Sequence, residues 1–349
     1  MSTVANVPQI ESDALRATLD RHLATAADPW AALQAAGVTG LIVPEEHGGL
    51  GLPVGAAAPV FDALGAHGVA TPFLETSVIA PYLLRAARSE AGDDALRAIA
   101  AGGIVAVAGL DPSLRRSVRA TAAGDRWRLD GQALLVLDGA TADHLLVAAQ
   151  VDDGKTVVLL VSGNEGPAAA PYPTIDGRTA ADLRFEGVAA TVLIADAEAA
   201  LEDARDIALA GLAAEAGGLM KRLVTDTVAY TKDREQFGQP IARFQVIQHR
   251  LVDMHIQARR AGAIAARAME AIDGDRVVRA RLASAAKVTV ADAGRFVGQN
   301  AVQLHGGMGM TRELHVSRCF KRLTVIEHEL GSADQHRTRY ARLAASAAT

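Results

Sequence analysis

The chain has 349 residues, with 35 lysines and arginines against 40 aspartates and glutamates, and a single cysteine. This length is enough for two or three structural units around a large buried core. The slight acidic excess gives no basic surface for nucleic acid or for an anionic membrane. One cysteine excludes an internal disulfide framework and a cysteine-based zinc site.

The sequence shows no sign of a membrane span, a signal peptide or a metal site. Half of its residues are hydrophobic, but alanine inflates that share and no apolar run approaches the length of a spanning helix. Residues 1–13 carry neither a basic start nor an apolar stretch, so we expect no signal peptide and a cytoplasmic location. Spacings such as HExxH, GxSxG and GxxxxGK(S/T) are missing.

Helical patterns dominate residues 1–104, which we predict to be an N-terminal helical domain. Ser12 and Asp13 can cap a first helix, and Trp30 to Ala36 form a short amphipathic one. The glycine-rich loop Leu41–Leu52 follows, and further helices are predicted near 56–67, 75–88 and 92–101. The loop follows no long strand and has no Lys-Ser/Thr pair, so its pattern favours a structural turn over a phosphate cradle.

Short β-branched or alternating runs predict a small middle antiparallel β-domain over residues 105–197. Trp127–Gln132 contains Asp-Gly, a hairpin signal. The runs 144–150 and 155–162 are separated by an Asp-Asp-Gly turn, and the runs 181–188 and 190–194 complete the set.

Residues 198–349 predict a C-terminal four-helix bundle, with helices near 201–232, 241–272, 275–303 and 311–324 and a weaker tail at 334–346. Gly238 and Pro240 would end the first helix, with Pro240 in the first turn of the second. Arg234 and Phe237 would then lie at the corner of a helical hairpin. An arginine on a rigid corner suits a phosphate or a carboxylate. Alternatively, it complements the helix dipole.

Two motifs in this region carry a family resemblance. The segment REQFGQPIxxFQ starts at Arg234, and QLHGGxGxTxE starts at Gln303. Together they closely resemble the C-terminal domain of the acyl-CoA dehydrogenase family, flavoenzymes that desaturate acyl-CoA thioesters. The loop VPEEHGGLG, which starts at Val43, resembles a landmark of the family's N-terminal domain. The resemblance covers nearly the whole chain and implies an α+β fold of helical, β and four-helix-bundle domains.

The resemblance also implies that the usual position of the catalytic base carries no carboxylate. In the family a glutamate removes the proton α to the thioester carbonyl, and the flavin accepts a hydride from the β carbon. Aligned on the Gly-Ser pair of the turn that carries this base, Leu330 takes the glutamate position, and a leucine cannot accept a proton. An earlier position used by some relatives falls near Ala208. Glu329 and Glu215 remain as candidates, although a buried glutamate on a helix is more often a structural partner.

The seat of the flavin ring is also depleted by comparison with the family. The flavin loop would fall at Gly109–Arg116, where only the acid-Pro pair Asp111-Pro112 matches. The aromatic-Thr segment beside the ring corresponds to Leu135–Gly139, which has neither an aromatic residue nor a threonine.

The matching residues are those that, in family members, reach across a dimer interface to the diphosphate and adenosine of the neighbour's FAD. On this resemblance the cofactor-binding residues are Arg234, Gln236, Phe237, Gln245, Gln303, Gly306 and Gly307. In a homodimer each chain must supply both halves of the site. A chain with one half suggests an unlike partner.

These observations lead to the hypothesis of a non-catalytic subunit in an α2β2 heteromer. It would share FAD with a catalytic acyl-CoA dehydrogenase subunit that binds the acyl-CoA, and an electron-transfer flavoprotein or similar acceptor would take the electrons. Known heteromers of this family, several acting on steroid side-chain CoA esters, imply such a substrate. Two alternatives stay open: a self-sufficient homo-oligomer that uses Glu329 or Glu215 as base, and a flavin-free scaffold or acyl-CoA-binding protein.

Overall fold

The computed structural model describes residues 9–114, 116–124, 126–162, 166–311 and 314–346. It contains two compact units, one drawn from Met1–Thr25, Ala57–Ala70 and Leu209–Thr349, the other from Ala26–Ala56 and Thr71–Ala208. No helix in these described ranges is long and apolar enough to cross a membrane. The domain boundaries expected near residues 104 and 197 stay a prediction.

Ten α-helices and nine strands are described. The helices are α1 (Gln9–Leu23), α2 (Pro29–Ala35), α3 (Ala58–His67), α4 (Ala80–Ala87), α5 (Glu90–Ala100), α6 (Glu198–Asp233), α7 (Gln245–Glu270), α8 (Arg276–His305), α9 (His315–His328) and α10 (Ala333–Ser346). The strands are β1 (Val105–Ala108), β2 (Arg119–Ala123), β3 (Arg126–Leu137), β4 (His144–Gln150), β5 (Thr156–Ser162), β6 (Ala168–Pro173), β7 (Thr179–Ile194), β8 (Glu235–Gln236) and β9 (Gln239–Pro240).

The helices of the C-terminal part lie within a few residues of their predicted positions, whereas the N-terminal part needs two corrections. Helix α1 begins before Ser12, so the expected cap at Ser12 and Asp13 is wrong. Part of the predicted helix 75–88 is a π-helical segment over Phe73–Ile79. By contrast, α2 begins as a capped helix should, since Asp28 accepts a hydrogen bond from the Trp30 N–H at 2.9 Å.

Helices α3 and α6 cross at backbone contact. A Cβ added to Gly65 would lie 2.1 Å from the Glu215 carbonyl oxygen, and one added to Gly218 would lie 2.4 Å from the Asp62 carbonyl oxygen. Only glycine allows two helices to approach this closely. This crossing explains why α3 has glycine at position 65 and α6 has glycine at position 218.

The strands of the middle region form a seven-stranded sheet in the order β1-β4-β2-β3-β7-β5, with β6 paired to β7. Strand β5 also pairs with β4, so the sheet closes on itself around a core that includes Leu129, Val147, Leu159 and Phe185. Most pairings are antiparallel as expected. The exceptions are β1 with β4, and a single parallel pair between β2 and β4.

The hairpin expected at Asp130-Gly131 is wrong. Strand β3 continues through both residues to Leu137, and its register against β7 shifts between Leu129 and Asp130. Gly131 takes a φ of +119° there, so the Asp-Gly pair makes a bulge instead of a turn. The two runs expected at 181–188 and 190–194 are one strand, β7, while β6 had no predicted counterpart.

Candidate cofactor-binding site

The corner after α6 holds Arg234 by its backbone and leaves its side chain free. The Arg234 N–H donates to the Tyr230 carbonyl at 2.9 Å, and the Arg234 carbonyl accepts from the Ile241 N–H at 2.8 Å. The guanidinium is exposed, and no described residue forms a hydrogen bond or an ion pair with it. A cation held in this way is available to an external anion.

A two-residue turn shapes this corner. Strands β8 and β9 pair across Phe237 and Gly238, whose φ values are +58° and +79°. Helix α7 starts only at Gln245, so the expected place of Pro240 in its first turn is wrong. Left-handed backbone at a residue other than glycine costs about 1–2 kcal/mol. Phe237 adopts this conformation although burial of its side chain offers little compensation, since it is 91% exposed. Its ring makes an edge-on contact with Phe244, with the ring centroids 6.0 Å apart.

Two predicted glutamines also lie at this corner. The Gln236 side chain is exposed and donates to the Glu235 carbonyl at 2.8 Å. Gln245 is exposed at the first residue of α7. The corner therefore presents an arginine, an aromatic ring and two amides to solvent.

The second motif forms an open turn after α8. Gln303 is exposed, and its carbonyl accepts the Gly306 N–H. Gly306 takes a φ of +60° and a ψ of −144°, a conformation reserved for glycine. Gly307 needs no such conformation, and a Cβ added at either glycine would meet nothing within 4 Å. Neither the backbone conformation nor the packing within the chain requires a glycine at position 307. A glycine there would allow another molecule to approach the backbone closely. Arg312 and Glu313, the end of the motif, lie outside the described residues.

The position predicted for the family's usual base is occupied by an aliphatic side chain in a tightly held turn. Leu330 is buried and takes a φ of +60°. Its carbonyl is 2.9 Å from His336 Nε2. Lys287, which is wholly buried, donates to the carbonyls of Ile326 and Glu329, the latter at 2.5 Å. The turn is thus rigid and offers no carboxylate at the base position.

The two other candidate bases are bound by one arginine that sequence inspection missed. Arg322 donates to both oxygens of Glu215, at 2.6 and 2.8 Å, and both side chains are 7% exposed. The same guanidinium lies 3.3 Å from Glu329 Oε2. Carboxylates paired with an arginine in this way are typical of structural ion pairs, and the roles of Glu215 and Glu329 stay a prediction. Ala208 is buried on α6 and brings no carboxylate.

The loop Gly109–Arg116, predicted to correspond to the family's flavin loop, has backbone carbonyls that accept hydrogen bonds from arginines of this chain. Arg116 donates to the Gly109 carbonyl at 3.2 Å and to Glu198 at 2.8 Å. Arg205 donates to the Leu110 carbonyl at 2.8 Å. The hydrogen bond from Arg116 holds the pKa of Glu198 below its usual value, so this anion keeps the arginine in place. Arg115 lies outside the described residues.

The segment Leu135–Gly139, predicted to correspond to the family's aromatic-Thr segment, is held by hydrogen bonds within the chain. Leu135 and Asp138 take φ values of +54° and +55°. The Leu135 N–H donates to Asp182 at 3.0 Å. Asp138 receives a 2.6 Å hydrogen bond from Arg178, which also pairs with Glu75. The segment is a strained bulge stabilised by the chain's own charges.

These observations test whether the residues fit FAD, the cofactor that the resemblance implies. The Arg234 corner and the turn Gln303–Gly307 fit its nucleotide end, because they offer an unpaired cation, amides and an uncrowded glycine backbone. The described parts of Gly109–Arg116 and Leu135–Gly139 fit its ring poorly, since the Gly109 and Leu110 carbonyls and the Leu135 N–H are already bound within the chain.

The acyl-CoA dehydrogenase N-terminal domain matches residues 3–103, and the acyl-CoA dehydrogenase C-terminal domain matches residues 194–344. Acyl-CoA dehydrogenase IpdE2 of Mycobacterium tuberculosis is 31% identical over 82% of this chain and 76% of its own length. The chain belongs to the acyl-CoA dehydrogenase family.

Other members of the acyl-CoA dehydrogenase family resemble it over most of their length. Acyl-CoA dehydrogenase FadE28 of Mycobacterium tuberculosis is 28% identical over 93% of both chains. A variant of the Tcur3481–Tcur3483 steroid ACAD superposes with a TM-score of 0.87 at 28% identity, covering 97% of this chain and 99% of that one. The ChsE4–ChsE5 complex from Mycobacterium tuberculosis gives 0.84 at 27% identity and covers 99% of each chain.

Proposed function

We propose that this chain is the non-catalytic subunit of a heteromeric acyl-CoA dehydrogenase and completes the FAD site of a catalytic partner. The observation that carries the proposal is the contrast between two sets of residues, those for the nucleotide end of FAD and those for its ring and the base. Arg234, Gln245 and Gln303 are exposed, and Arg234 has no partner among the described residues. By contrast, the usual base position is Leu330, and the Gly109 and Leu110 carbonyls are bound by Arg116 and Arg205.

Each retained residue has a role that its chemistry suits. Arg234 would bind the diphosphate through its planar fork, and the Gln303 side chain with the uncrowded backbone of Gly307 would bind the adenosine end. Gln236, Phe237 and Gln245 would line the same nucleotide. FAD, when bound, supplies the hydride acceptor for desaturation. The base and the ring seat belong to the partner in this proposal.

The assembly and the substrate follow from the same reasoning. Arg234 and the turn Gln303–Gly307 together form what we call the nucleotide grip. A symmetric homodimer of this chain would have two nucleotide grips and no complete FAD site. We therefore propose an α2β2 assembly, with acyl-CoA bound on the partner and half of the FAD sites empty. Two structural relatives are named as pairs of unlike chains, and one of them as a steroid enzyme, which supports a bulky CoA ester as substrate. Electron-transfer flavoprotein or a similar acceptor is the proposed oxidant, and the cytoplasm the proposed location.

Co-expression tests the proposal. The partner should be a full-length relative that keeps both the flavin loop and the glutamate base. We expect one FAD per pair of unlike chains, and little FAD on this chain purified alone. Arg234→Ala should weaken FAD binding by the complex about 10- to 100-fold, the worth of a hydrogen bond to a charged group. Arg126→Ala, on an exposed arginine of β3, is the matched control and should change nothing.

Two outcomes would favour the alternatives. If the isolated chain binds stoichiometric FAD that bleaches on addition of an acyl-CoA, the self-sufficient enzyme is correct, and Glu215→Gln and Glu329→Gln would then identify its base. If the partner keeps its FAD and activity in a complex with the Arg234→Ala variant, Arg234 does not contribute to FAD binding and a scaffold role is favoured.

A further inference from the structure

The two parts of the proposed nucleotide grip come from distant points of the chain. Arg234 follows α6, and the turn Gln303–Gly307 follows α8. A ligand that binds both parts needs them at a fixed separation, because each loosely held group adds an ordering cost to binding. The contact that sets this separation is therefore of functional interest.

Tyr230 and His305 connect the two parts. Their rings stack with centroids 4.3 Å apart and an interplanar angle of 24°. The Tyr230 hydroxyl also donates to the His305 carbonyl at 3.4 Å. Among the described residues of 230–243 and 303–311, no other hydrogen bond, ion pair or ring contact joins the corner to the turn.

Each ring is coupled directly to the group it would position. The Tyr230 carbonyl accepts the Arg234 N–H, so the tyrosine lies one helical turn before the arginine. His305 immediately precedes Gly306, and its Nδ1 lies 2.8 Å from the Ala301 carbonyl, which fixes the ring against α8. His305 is buried and Tyr230 is half-buried. A displacement of either ring would move the corner relative to the glycine turn.

We infer that Tyr230 and His305 are positioning residues that hold Arg234 and the Gln303–Gly307 turn in register for one dinucleotide. The inference rests on the proposed function, since it concerns the same FAD. Neither ring needs to touch the cofactor. Their contribution is preorganisation, so their effect on binding requires that Arg234 is present.

The experiment is a double-mutant cycle on FAD affinity. The complex with the catalytic partner is stripped of FAD and titrated with FAD, and Kd is read from flavin fluorescence. Tyr230→Leu should raise Kd about five- to tenfold by releasing the corner. Tyr230→Phe, which keeps the stack, should have at most a small effect. Tyr340→Leu, on a half-exposed tyrosine of α10, is the matched control and should leave Kd unchanged.

The decisive measurement is the combined variant. If Tyr230 acts by positioning Arg234, then Tyr230→Leu with Arg234→Ala binds FAD no more weakly than Arg234→Ala alone. A purely structural loss would instead add to the effect of Arg234→Ala, and additive effects would overturn the inference. His305→Gln, which removes the ring and keeps a donor for Ala301, tests the same contact if Tyr230→Leu reduces the yield of the complex.

The outcomes separate the two proposals. An unchanged Kd in Arg234→Ala overturns the proposed function and this inference with it. A raised Kd in Arg234→Ala beside an unchanged Kd in Tyr230→Leu overturns this inference alone.

Discussion

Two arginines of the same helical unit lie in opposite settings. Arg322 is buried and binds Glu215 and Glu329, while Arg234 is exposed and binds no described residue. A buried charge needs a partner within the fold, because an unpaired charge in the interior strongly destabilises the folded state. An exposed charge on a fixed backbone carries no such obligation. The difference supports the proposal that Glu215 and Glu329 have a structural task and that Arg234 is the arginine available for binding.

The strongest test of this comparison is removal of each arginine in turn. Arg322→Leu leaves two carboxylates without their buried partner and should lower the free energy of unfolding by about 3–5 kcal/mol. Arg234→Leu removes an exposed side chain and should change it by less than about 0.5 kcal/mol. Urea unfolding of the isolated chain measures both. Similar values for the two variants would contradict the assignment of structural and binding roles.

Substitution of Lys287 is a second test of the buried contacts around the Leu330 turn. Lys287→Met removes the donor to the carbonyls of Ile326 and Glu329 while keeping the length of the side chain, and should cost about 1–3 kcal/mol. Lys321→Met, on a lysine of α9 that is not fully buried, is the control. Equal stabilities of the two variants would show that the turn around Leu330 does not depend on Lys287.

A smaller effect is expected in acid. Burial works to raise the pKa of Asp226, but hydrogen bonds from His315 and Arg222 outweigh it and hold that pKa below its usual value. The ionised Asp226 carboxylate therefore stabilises the fold fully above the pKa that this carboxyl has in the unfolded chain. This stabilisation is lost as the pH falls through its lower pKa in the folded chain. Asp226→Asn should flatten the acid limb of a stability profile measured by urea unfolding. An unchanged acid limb would assign the acid sensitivity to other carboxylates.

The smallest expected effect is a gain in stability at the exposed corner. Asn-Gly suits a two-residue hairpin turn with positive φ at both positions, so Phe237→Asn should stabilise the isolated chain by about 0.5–1 kcal/mol. The same change should weaken FAD binding by the complex, if Phe237 is kept for the nucleotide. Thermal unfolding and FAD titration measure the two effects. A loss of stability would show that the Phe237–Phe244 contact matters more than the backbone strain.

Local patterns predicted much of the architecture. The long C-terminal helices follow from alanine and leucine periodicity, and β4 and β5 from β-branched runs around a short turn. The Asp130-Gly131 hairpin failed because pairing with β7 continued the strand through a sequence that favours a turn. The first-turn place of Pro240 failed because the Phe237–Gly238 turn and its short strands delay α7 to Gln245.

The sequence by itself determined which side chains are present: an arginine and glycines at the positions predicted for a nucleotide, and a leucine at the position predicted for the base. Those identities depend on residue type and spacing alone. Tertiary structure decided which charges are free, because Arg322 meets Glu215 across 107 positions of sequence and Arg116 meets Glu198 across 82. It also brought Tyr230 against His305. Contacts between distant residues depend on how helices and strands pack, and no local pattern specifies that packing.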